Sequence, residues 1–548
     1  MSFLSKISKI VNSHQSRSII ITGNIYDLFF DGTNYVPLID YLKSKIKLDP
    51  TPTQKGITQV IYQVNRPINV PDEGRIQALE SSWLTLHPND DSLSKRFFNT
   101  IDNSAYALEL MKQMAQSNRH SSKNPNNLLF ILEAADMLLP ECEINRMMPI
   151  DRKRVSIVQD WFQDPEFLNG HDTVLLFAES RSSIHHRISR LPNVLNVDIP
   201  LPDLEVRKHF IEFFSKQRNI TVSVDNFAEQ TAGLSLHAIR QLMCSSEINQ
   251  EELANKVEAY MTSQLGEGVI EFKRPKHKLV DVIGFSKLKK FLNEELIPGL
   301  KATGKDALSG AAVSGPIGGG KTFLCEAVAA ELDCPVIVLK NIRSKWYGET
   351  DQIFEKLRRL LESFHKIVIF VDEADTMFGD IQSDQETERR LTGKIQAMMS
   401  DTALKGKVFW FLMTARIHKL SPDIRRPGRM DLIIPVLDPT DGDKEDFIRW
   451  TFGDLIQNKI PPEIFDIIKD YSSASYSMLR SLIKSKKCST IEEALNVAKD
   501  IMLPDIGDTR KYQTIQAILN CTRKSLIGNE NIDNLKKQLK LLESQGIS

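Results

Sequence analysis

A glycine-rich stretch beyond the middle of the chain carries the residue types that hold a phosphate group. Residues 315–322 read GPIGGGKT and satisfy the spacing G-x-x-x-x-G-K-[ST]. Glycines let backbone N–H groups curl around phosphate oxygens, the lysine reaches the β- and γ-phosphates, and the last hydroxyl ligates Mg²⁺. The stretch predicts a site for the phosphates of a nucleotide, formed by Gly315, Pro316, Ile317, Gly318, Gly319, Gly320, Lys321, Thr322 and Phe323.

Two adjacent carboxylates are the second chemical feature. Asp372 and Glu373 directly follow residues 367–371, an apolar run that reads IVIFV. Near a phosphate loop, the first carboxylate is expected to hold the Mg²⁺ shell together with Thr322, and the second to orient and deprotonate the attacking water. By themselves, an apolar run and two acids are also typical of an ordinary strand that ends in solvent.

Both features need elements that position them. Residues 311–314 (AAVS) can form a short buried strand, and the apolar residues that follow the loop recur at helical spacing. A helix in that place points its positive N-terminus at the phosphates. Because open parallel sheets bind ligands at their carboxyl edge, Asp372 and Glu373 should lie beside the loop. The sequence therefore predicts an α/β fold of the P-loop NTPase type, a parallel-sheet domain followed by a small helical lid.

The first half of the chain repeats this pattern. Residues 18–23 (SIIITG) resemble a strand that ends at a glycine, but Asn24-Ile25-Tyr26-Asp27 follows instead of Gly-Lys-Thr. Residues 128–136 parallel 367–375, so that Glu133 stands in place of Asp372 and Ala134 in place of Glu373. Three more pairs match in order: 174–177 with 408–412, 197–203 with 433–439, and 235–242 with 475–482. The repeat predicts two such domains in tandem, and two unrelated α/β domains with generic strands are the alternative.

Ordered motifs in the second half resemble the AAA module of the AAA+ superfamily, in the branch of NSF, spastin and the proteasomal regulatory ATPases. They are residues 281–284 (DVIG), 367–375 (IVIFVDEAD) and 423–431 (DIRRPGRMD). The resemblance implies ATP as the nucleotide, Ile283 and Gly284 beside the adenine, Asp372 on the metal and Glu373 as the catalytic base.

The same resemblance implies a role for two arginines. Arg426 and Arg429 would be arginine fingers, whose guanidinium groups stabilise the charge that develops on the γ-phosphate of a neighbouring subunit's nucleotide. A finger supplied by a neighbour makes hydrolysis depend on assembly. Two arginines in a turn are otherwise usually surface charge.

Residues 344–350 (SKWYGET), which lie between the phosphate loop and the acidic pair, resemble the pore loop of substrate-threading AAA proteins. Trp346, Tyr347 and Gly348 would then grip an extended polypeptide, because aromatic faces bind it with little sequence preference and the glycine lets the loop move. The alternative is a strand end whose rings pack into the protein.

One position departs from the family pattern. Ala415 stands where the family has a sensor asparagine after a threonine, and that amide would help hold the attacking water. The departure leaves both slow and ordinary hydrolysis open, with Thr414 as the only obvious substitute for that amide among the catalytic residues. Arg480 is the candidate for the other sensor position, although an ordinary lid-helix arginine is the simpler interpretation.

The resemblance also sets the predicted domains. Residues 1–205 form a degenerate AAA-like α/β domain, 206–265 its helical lid, 266–280 a linker, 281–440 the active AAA domain, and 441–548 a helical lid with C-terminal helices. The first domain lacks the lysine, the metal-binding aspartate and the catalytic glutamate. We therefore expect it to stabilise a ring or dock partners rather than hydrolyse ATP.

Composition limits the class of protein. With 548 residues, 41% of them hydrophobic and 26% charged, the chain is an ordinary globular protein of several domains. A formal net charge of -1 gives no global field that would recruit nucleic acid or an anionic membrane. The six cysteines show no zinc or disulfide spacing, and neither a secretory signal nor a long apolar run is present. These features predict a cytoplasmic protein without membrane insertion.

Together the features predict a Mg-ATP-hydrolysing AAA+ ATPase. It is expected to assemble as a homo-oligomer, a hexameric ring, and to remodel or thread a protein substrate, recruited directly or by an adaptor. One alternative is a nucleic-acid-associated motor or loader, which the neutral charge and the Trp-Tyr-Gly loop disfavour. Another is a slow ATP-gated scaffold or switch, which Ala415 favours. No H-E-x-x-H peptidase motif is present.

Overall fold

The chain is described by a computed structural model, which covers residues 3–46, 55–121, 126–244, 250–265, 268–302, 304, 307–332, 334–340, 350–378, 386–456, 459–504, 506–528 and 531–547. It divides into two compact units. The first consists of Met1–Tyr260 and Asp351–Ser363, and the second of Met261–Thr350 and Phe364–Ser548.

Strands of short, apolar sequence form the sheets of both units. They are β1 Ser18–Gly23, β2 Leu28–Phe30, β3 Tyr35–Pro37, β4 Ile57–Tyr62, β5 Asn127–Leu132, β6 Thr173–Phe177, β7 Val194–Ile199, β8 Ile270–Lys273, β9 Gly310–Ser314, β10 Val336–Leu339, β11 Ile367–Val371, β12 Val408–Thr414 and β13 Leu432–Pro435.

Helices connect the strands and follow each sheet. They are α1 Phe3–Asn12, α2 Leu38–Lys45, α3 Glu73–Leu86, α4 Leu93–Phe98, α5 Ser104–His120, α6 Ala135–Leu138, α7 Pro149–Gln163, α8 Pro165–Asn169, α9 His186–Ser189, α10 Leu204–Arg218, α11 Val224–Gln230, α12 Leu236–Met243, α13 Gln250–Leu265, α14 Ser286–Phe291, α15 Ile297–Lys301, α16 Lys321–Glu331, α17 Thr350–Ser363, α18 Ala374–Phe378, α19 Glu386–Met399, α20 Asp441–Phe452, α21 Pro462–Ile467, α22 Ser473–Ser485, α23 Ile491–Lys499, α24 Gly507–Leu519, α25 Lys524–Ile527 and α26 Ile532–Ser544.

The two main sheets have the same topology. In the first unit the strand order is β4-β5-β6-β1-β7, and every neighbouring pair is parallel. In the second unit the order is β13-β9-β12-β11-β10-β8, with β8 antiparallel at the edge. When the parallel strands of each sheet are numbered along the chain, both sheets have the order 2-3-4-1-5. The prediction of parallel-sheet α/β domains in tandem is confirmed.

Apolar residues on both faces of the strands explain why the sheets are covered on both sides. In the first unit Ile20 of β1 lies in one core cluster with Trp83 and Trp161, whereas its neighbours Ile19 and Ile21 lie in another. In the second unit β11 and β12 are buried along their whole length. Helices α20–α23 share a separate core, and α24 packs with α26. Among the residues that the structure describes, no helix is both long and apolar enough to span a lipid bilayer.

Two details differ from the sequence predictions. The segment 266–280, predicted to be a linker, contributes strand β8 to the second sheet. The prediction missed it because an edge strand is only partly buried and its charged residues resemble a solvated connection. The match of 235–242 with 475–482 is also three residues out of register. The N-caps of the two helices are Ser235 and Ser472, so Ser235 corresponds to Ser472 and not to Ser475, which lies about one helical turn further along.

Candidate nucleotide-binding site

Three neighbouring strands of the second sheet end at one edge. Strand β12 lies between β9 and β11, and all three run parallel. The glycine loop follows β9, the acidic pair follows β11, and Thr414 ends β12. A cavity of about 930 Å³ opens at this edge, lined by Ile317, Gly318, Gly319, Gly320, Lys321, Thr322, Phe323, Asp372, Glu373, Asp375, Thr414, Ala415 and Arg416. Its volume suits a ligand the size of a nucleotide.

Glycines are required at defined places in the loop. A Cβ on Gly315 would lie 1.9 Å from the carbonyl oxygen of Val436, so the loop leaves the sheet through a contact that no side chain allows. Gly318 and Gly320 have φ of 78° and 89°, in the left-handed region that favours glycine. Helix α16 begins at Lys321 and its N-cap, Gly320, supplies no side-chain hydrogen bond. Its first N–H groups are therefore available to an anion.

The Lys321 ammonium lies inside the loop. Its Nζ donates to the carbonyl oxygens of Gly315 and Pro316, each at 3.0 Å. Burial lowers the pKa of this ammonium, and the nearby Asp372 carboxylate acts in the opposite direction. The loop thus encloses a positive charge next to the N-terminus of a helix, and both features favour a phosphate.

Asp372 and Glu373 are both exposed to the cavity. Glu373 has φ of 47°, a left-handed conformation that is uncommon for a residue with a side chain. Such strained residues cluster at functional sites. The Asp372 carboxylate accepts the Glu373 N–H at 2.9 Å. Asp372 and Thr322, the predicted metal ligands, line the same cavity and offer the oxygen atoms that Mg²⁺ prefers.

A hydrogen-bond network joins the residues on either side of Ala415 to Asp375. The Thr414 hydroxyl donates to Asp375 at 2.6 Å and accepts the Arg416 backbone N–H at 2.8 Å. Arg416 Nε donates to the other Asp375 oxygen at 2.6 Å. Thr414 lines the cavity, but its hydrogen is committed to Asp375 rather than free for a ligand.

Another part of the cavity wall is apolar. Val282, Ile283 and Phe285 line it together with Phe447 and Trp450 of α20. Flat apolar walls of this kind suit an adenine ring.

Gly284 does not line the cavity but lies behind this wall. A Cβ there would be 2.9 Å from the Phe447 ring, so the residue packs against the lid helix α20. Arg480 stacks over the Trp450 ring at 4.3 Å and donates to its carbonyl oxygen, which fits the simpler interpretation of a lid-helix arginine.

The remaining predicted residues lie elsewhere. Gly315, Pro316, Arg426 and Arg429 are not part of the cavity wall. The Arg426 side chain is 72% exposed. Arg429 instead donates to Ser400 Oγ at 2.7 Å and to the Asp423 carbonyl oxygen at 3.1 Å. Trp346, Tyr347 and Gly348 lie outside the described residues.

Sequence reasoning missed part of the wall. Ser473, Ala474 and Ser477 at the start of α22 line the cavity, as do Thr509 and Gln513 of α24. The serines gave a weak signal, since Ser472 is a typical N-cap. Helix α24 gave none, because its sequence resembles any amphipathic packing helix.

Protein-family models match three parts of the chain. Residues 311–437 match the family described as ATPase family associated with various cellular activities (AAA). Residues 2–200 match the N-terminal Rossmann-like domain of AAA+ chaperones, and residues 205–257 match their second helical domain.

Curated relatives cover parts of the chain. The ATPase family gene 2 protein of Schizosaccharomyces pombe is 26% identical over 39% of this chain and 27% of its own length. The Cell division cycle protein 48 homolog of Archaeoglobus fulgidus is 35% identical over 23% of this chain and 18% of its own length. The probable 26S proteasome regulatory subunit 10B of Caenorhabditis elegans is 29% identical over 41% of this chain and 56% of its own length.

The match therefore spans between about a fifth and just over half the length of these relatives. Family matches cover the first sheet, the parallel strands of the second sheet and helices that follow the first one. The chain belongs to the AAA+ superfamily, with an AAA ATPase domain that follows the N-terminal and second helical domains of an AAA+ chaperone.

Proposed function

We propose that the second unit binds Mg-ATP in the cavity at the edge of its sheet and hydrolyses the γ-phosphate. The observation that carries this proposal is the shared wall, which brings Lys321 and Thr322 of the glycine loop together with Asp372 and Glu373. The glycines at positive φ leave room for phosphate oxygens, and the uncapped start of α16 offers them N–H donors.

Each residue has a distinct task. Lys321 would donate to the β- and γ-phosphates, and the Thr322 hydroxyl and the Asp372 carboxylate would hold a Mg²⁺ ion. The chemistry that this ion would supply is neutralisation of charge on the phosphate oxygens. Glu373 orients a water molecule in line with the γ-phosphate and accepts its proton.

A second candidate function, a slow ATP-gated switch, is supported by the network at the end of β12. Thr414 is already bound to Asp375, and Ala415 has no polar side-chain atom. The water is therefore held by Glu373 with less help than a sensor asparagine would give. We expect turnover toward the slow end of the about 1–100 s⁻¹ that is typical of phosphoryl transfer by kinases.

For the work done with ATP, we propose remodelling or threading of a protein by a homo-oligomeric ring, with Arg426 and Arg429 acting across subunit interfaces. The match to AAA+ chaperone domains supports a protein substrate. The pore-loop role of Trp346, Tyr347 and Gly348 rests on the sequence alone, as does the cytoplasmic location. The net charge of -1 still disfavours nucleic acid.

The test measures nucleotide binding and hydrolysis by the full chain and two variants. Lys321→Ala should abolish nucleotide affinity, whereas Glu373→Gln should keep affinity and lower turnover at least about 100-fold, because only the water-orienting group is lost. Undiminished turnover in both variants would rule out this site. Stimulation of the wild type by unfolded protein supports remodelling, stimulation by DNA or RNA supports the motor alternative, and stimulation by neither supports the switch.

A further inference from the structure

A helix from outside the glycine loop holds both polar backbone groups of one loop residue. The Ile317 N–H donates to Gln513 Oε1 at 3.0 Å, and the Ile317 carbonyl oxygen accepts from the Arg510 guanidinium. Both side chains come from α24. Since they are three residues apart, they lie on one face of that helix.

The two side chains are themselves fixed. Arg510 Nη2 donates to both carboxylate oxygens of Asp438, each at 2.6 Å, so its planar fork has one orientation. Gln513 is 3% exposed. Because the Ile317 N–H can only donate, the oxygen of the Gln513 amide must face it. These contacts leave little freedom to the Ile317 peptide.

Helix α24 is in turn anchored to the rest of the unit. Tyr512, Ile515 and Ile518 pack against Leu535 and Leu542 of α26. Just beyond the helix, the Thr522 backbone N–H donates to the Ile433 carbonyl oxygen in β13, and the Thr522 hydroxyl accepts the Ile433 N–H. The glycine loop follows β9 and is also held by α24, which is fixed to β13 of the same sheet.

This arrangement matters because Ile317 directly precedes Gly318, Gly319 and Gly320. A loop with three consecutive glycines has many conformations, and ordering it on nucleotide binding costs free energy. Fixing the peptide at Ile317 removes part of that cost before the nucleotide arrives. Resting on the proposed function, we propose that Arg510 and Gln513 are positioning residues of the nucleotide site, which hold the glycine loop in its binding conformation.

The test compares four variants of the full chain by binding of a fluorescent ADP analogue with Mg²⁺ and by steady-state ATP hydrolysis. Gln513→Met and Arg510→Met keep the length of the side chain and remove the hydrogen bonds, while Arg510→Lys keeps the charge. Arg523→Met is the matched control, because it breaks the Arg523–Glu295 ion pair just beyond α24, between side chains outside the cavity wall.

Each lost hydrogen bond should raise the Kd and the KM about 3- to 10-fold. The kcat at saturating ATP should change less than about twofold, because Asp372 and Glu373 are untouched. Arg510→Lys should fall between Arg510→Met and the wild type, and Arg523→Met should bind like the wild type. All measurements are made at a temperature where thermal melts show every variant folded.

The outcomes separate this inference from the proposed function. A wild type that binds no ADP would refute the nucleotide site itself. A wild type that binds ADP, with Gln513→Met and Arg510→Met binding equally well, would overturn the positioning role and leave the site intact. A lower kcat with unchanged KM would also overturn it, since positioning of the loop acts on binding.

Discussion

The loops after β1 and β9 leave their sheets in the same way. A Cβ on Gly23 would lie 2.3 Å from the carbonyl oxygen of Ile199, as one on Gly315 would lie 1.9 Å from that of Val436. The residues after the third strand in chain order also agree, since Ala134 has φ of 51° and Glu373 has φ of 47°. The two units therefore share a glycine at the end of the first strand and a left-handed residue after the third strand, which carries a carboxylate only in the second unit.

Beyond this point the two loops differ. In the first unit the Asp27 carboxylate is buried and accepts the N–H groups of Leu236 and His237, at 2.9 and 3.0 Å. Asn24 Nδ2 donates to the same carboxylate at 2.7 Å. The loop is thereby tied to the N-terminus of α12.

In the second unit the corresponding helix, α22, contacts the loop through the Ala474 N–H, which donates to the Gly318 carbonyl oxygen at 3.0 Å. Ser473, Ala474 and Ser477 of this helix line the open cavity. In the first unit a carboxylate of the loop itself thus joins the loop to the N-terminus of α12, whereas in the second unit the start of α22 faces a cavity.

The largest expected effect concerns Arg426, one of the two proposed arginine fingers. Arg426 is exposed and pairs with the Asp423 carboxylate at 3.6 Å. If it acts on the nucleotide of a neighbouring subunit, Arg426→Ala should lower kcat about 1,000-fold or more, because the charge on the γ-phosphate loses its guanidinium. The melting temperature should not change, since exposed ion pairs contribute little. The measurement is steady-state hydrolysis together with a thermal melt.

The first unit offers a matched control for this prediction. Arg146 pairs with Glu143 at the same distance of 3.6 Å, with the same sequence spacing and with its side chain 82% exposed. Arg146→Ala should leave hydrolysis unchanged. Mixing Arg426→Ala chains with Glu373→Gln chains should restore some activity at mixed interfaces. Activity that never exceeds the sum of the separate variants would show that Arg426 does not act between subunits.

A smaller effect concerns the pH dependence of stability, because a contact of the first unit contains a titratable group that its counterpart in the second unit lacks. Asp172 lies just before β6 and accepts the Leu128 N–H at 2.7 Å, and burial raises its pKa to about 6, although Arg119 and Arg17 act against the shift. The folded state therefore binds this proton more tightly than the unfolded state. The free energy of unfolding should fall as the pH rises from about 4 to 6, by at most about 3 kcal/mol.

The corresponding contact in the second unit has no titratable group, since the Ile367 N–H donates to the Lys407 backbone carbonyl oxygen at 2.8 Å. Asp172→Asn keeps an acceptor and is neutral at every pH. The variant should match the wild type near pH 4 and be more stable above pH 6. Denaturant titrations from pH 4 to 8 test this, and identical pH profiles for the two proteins would contradict it.

Sequence reasoning succeeded where a residue type is dictated by its immediate neighbours. A buried parallel strand needs an apolar run, and a loop that wraps a phosphate needs glycines, so β9, β11 and residues 315–322 were predictable. The positions of Glu133 and Ala134 in the first unit followed from the same strand pattern.

Contacts between distant parts of the chain could not be predicted in this way. Gln513 meets Ile317 across 196 residues of sequence, and nothing in a helix of ordinary composition marks that face. The Thr414 hydroxyl was expected to face a ligand, but its role depends on Asp375, which lies on another element. Likewise Asp27 was seen only as part of a loop without a lysine, because its partners lie on α12.

The smallest expected effect tests the contact that closes the first unit. Asp27→Ala leaves the buried N–H groups of Leu236 and His237 without their acceptor, which should lower the stability of the first unit by about 1–3 kcal/mol. Asp27→Asn keeps one acceptor oxygen and should lose less, and Asp31→Ala, which removes an exposed turn carboxylate, serves as the control. Amide exchange at Leu236 and His237 reports the contact directly. Because the second unit's cavity contains no residue of this loop, ADP affinity should be unchanged, with one nucleotide per chain in native mass spectra. Unaltered exchange in Asp27→Ala, or two nucleotides per chain, would mean that the first unit keeps an open cleft.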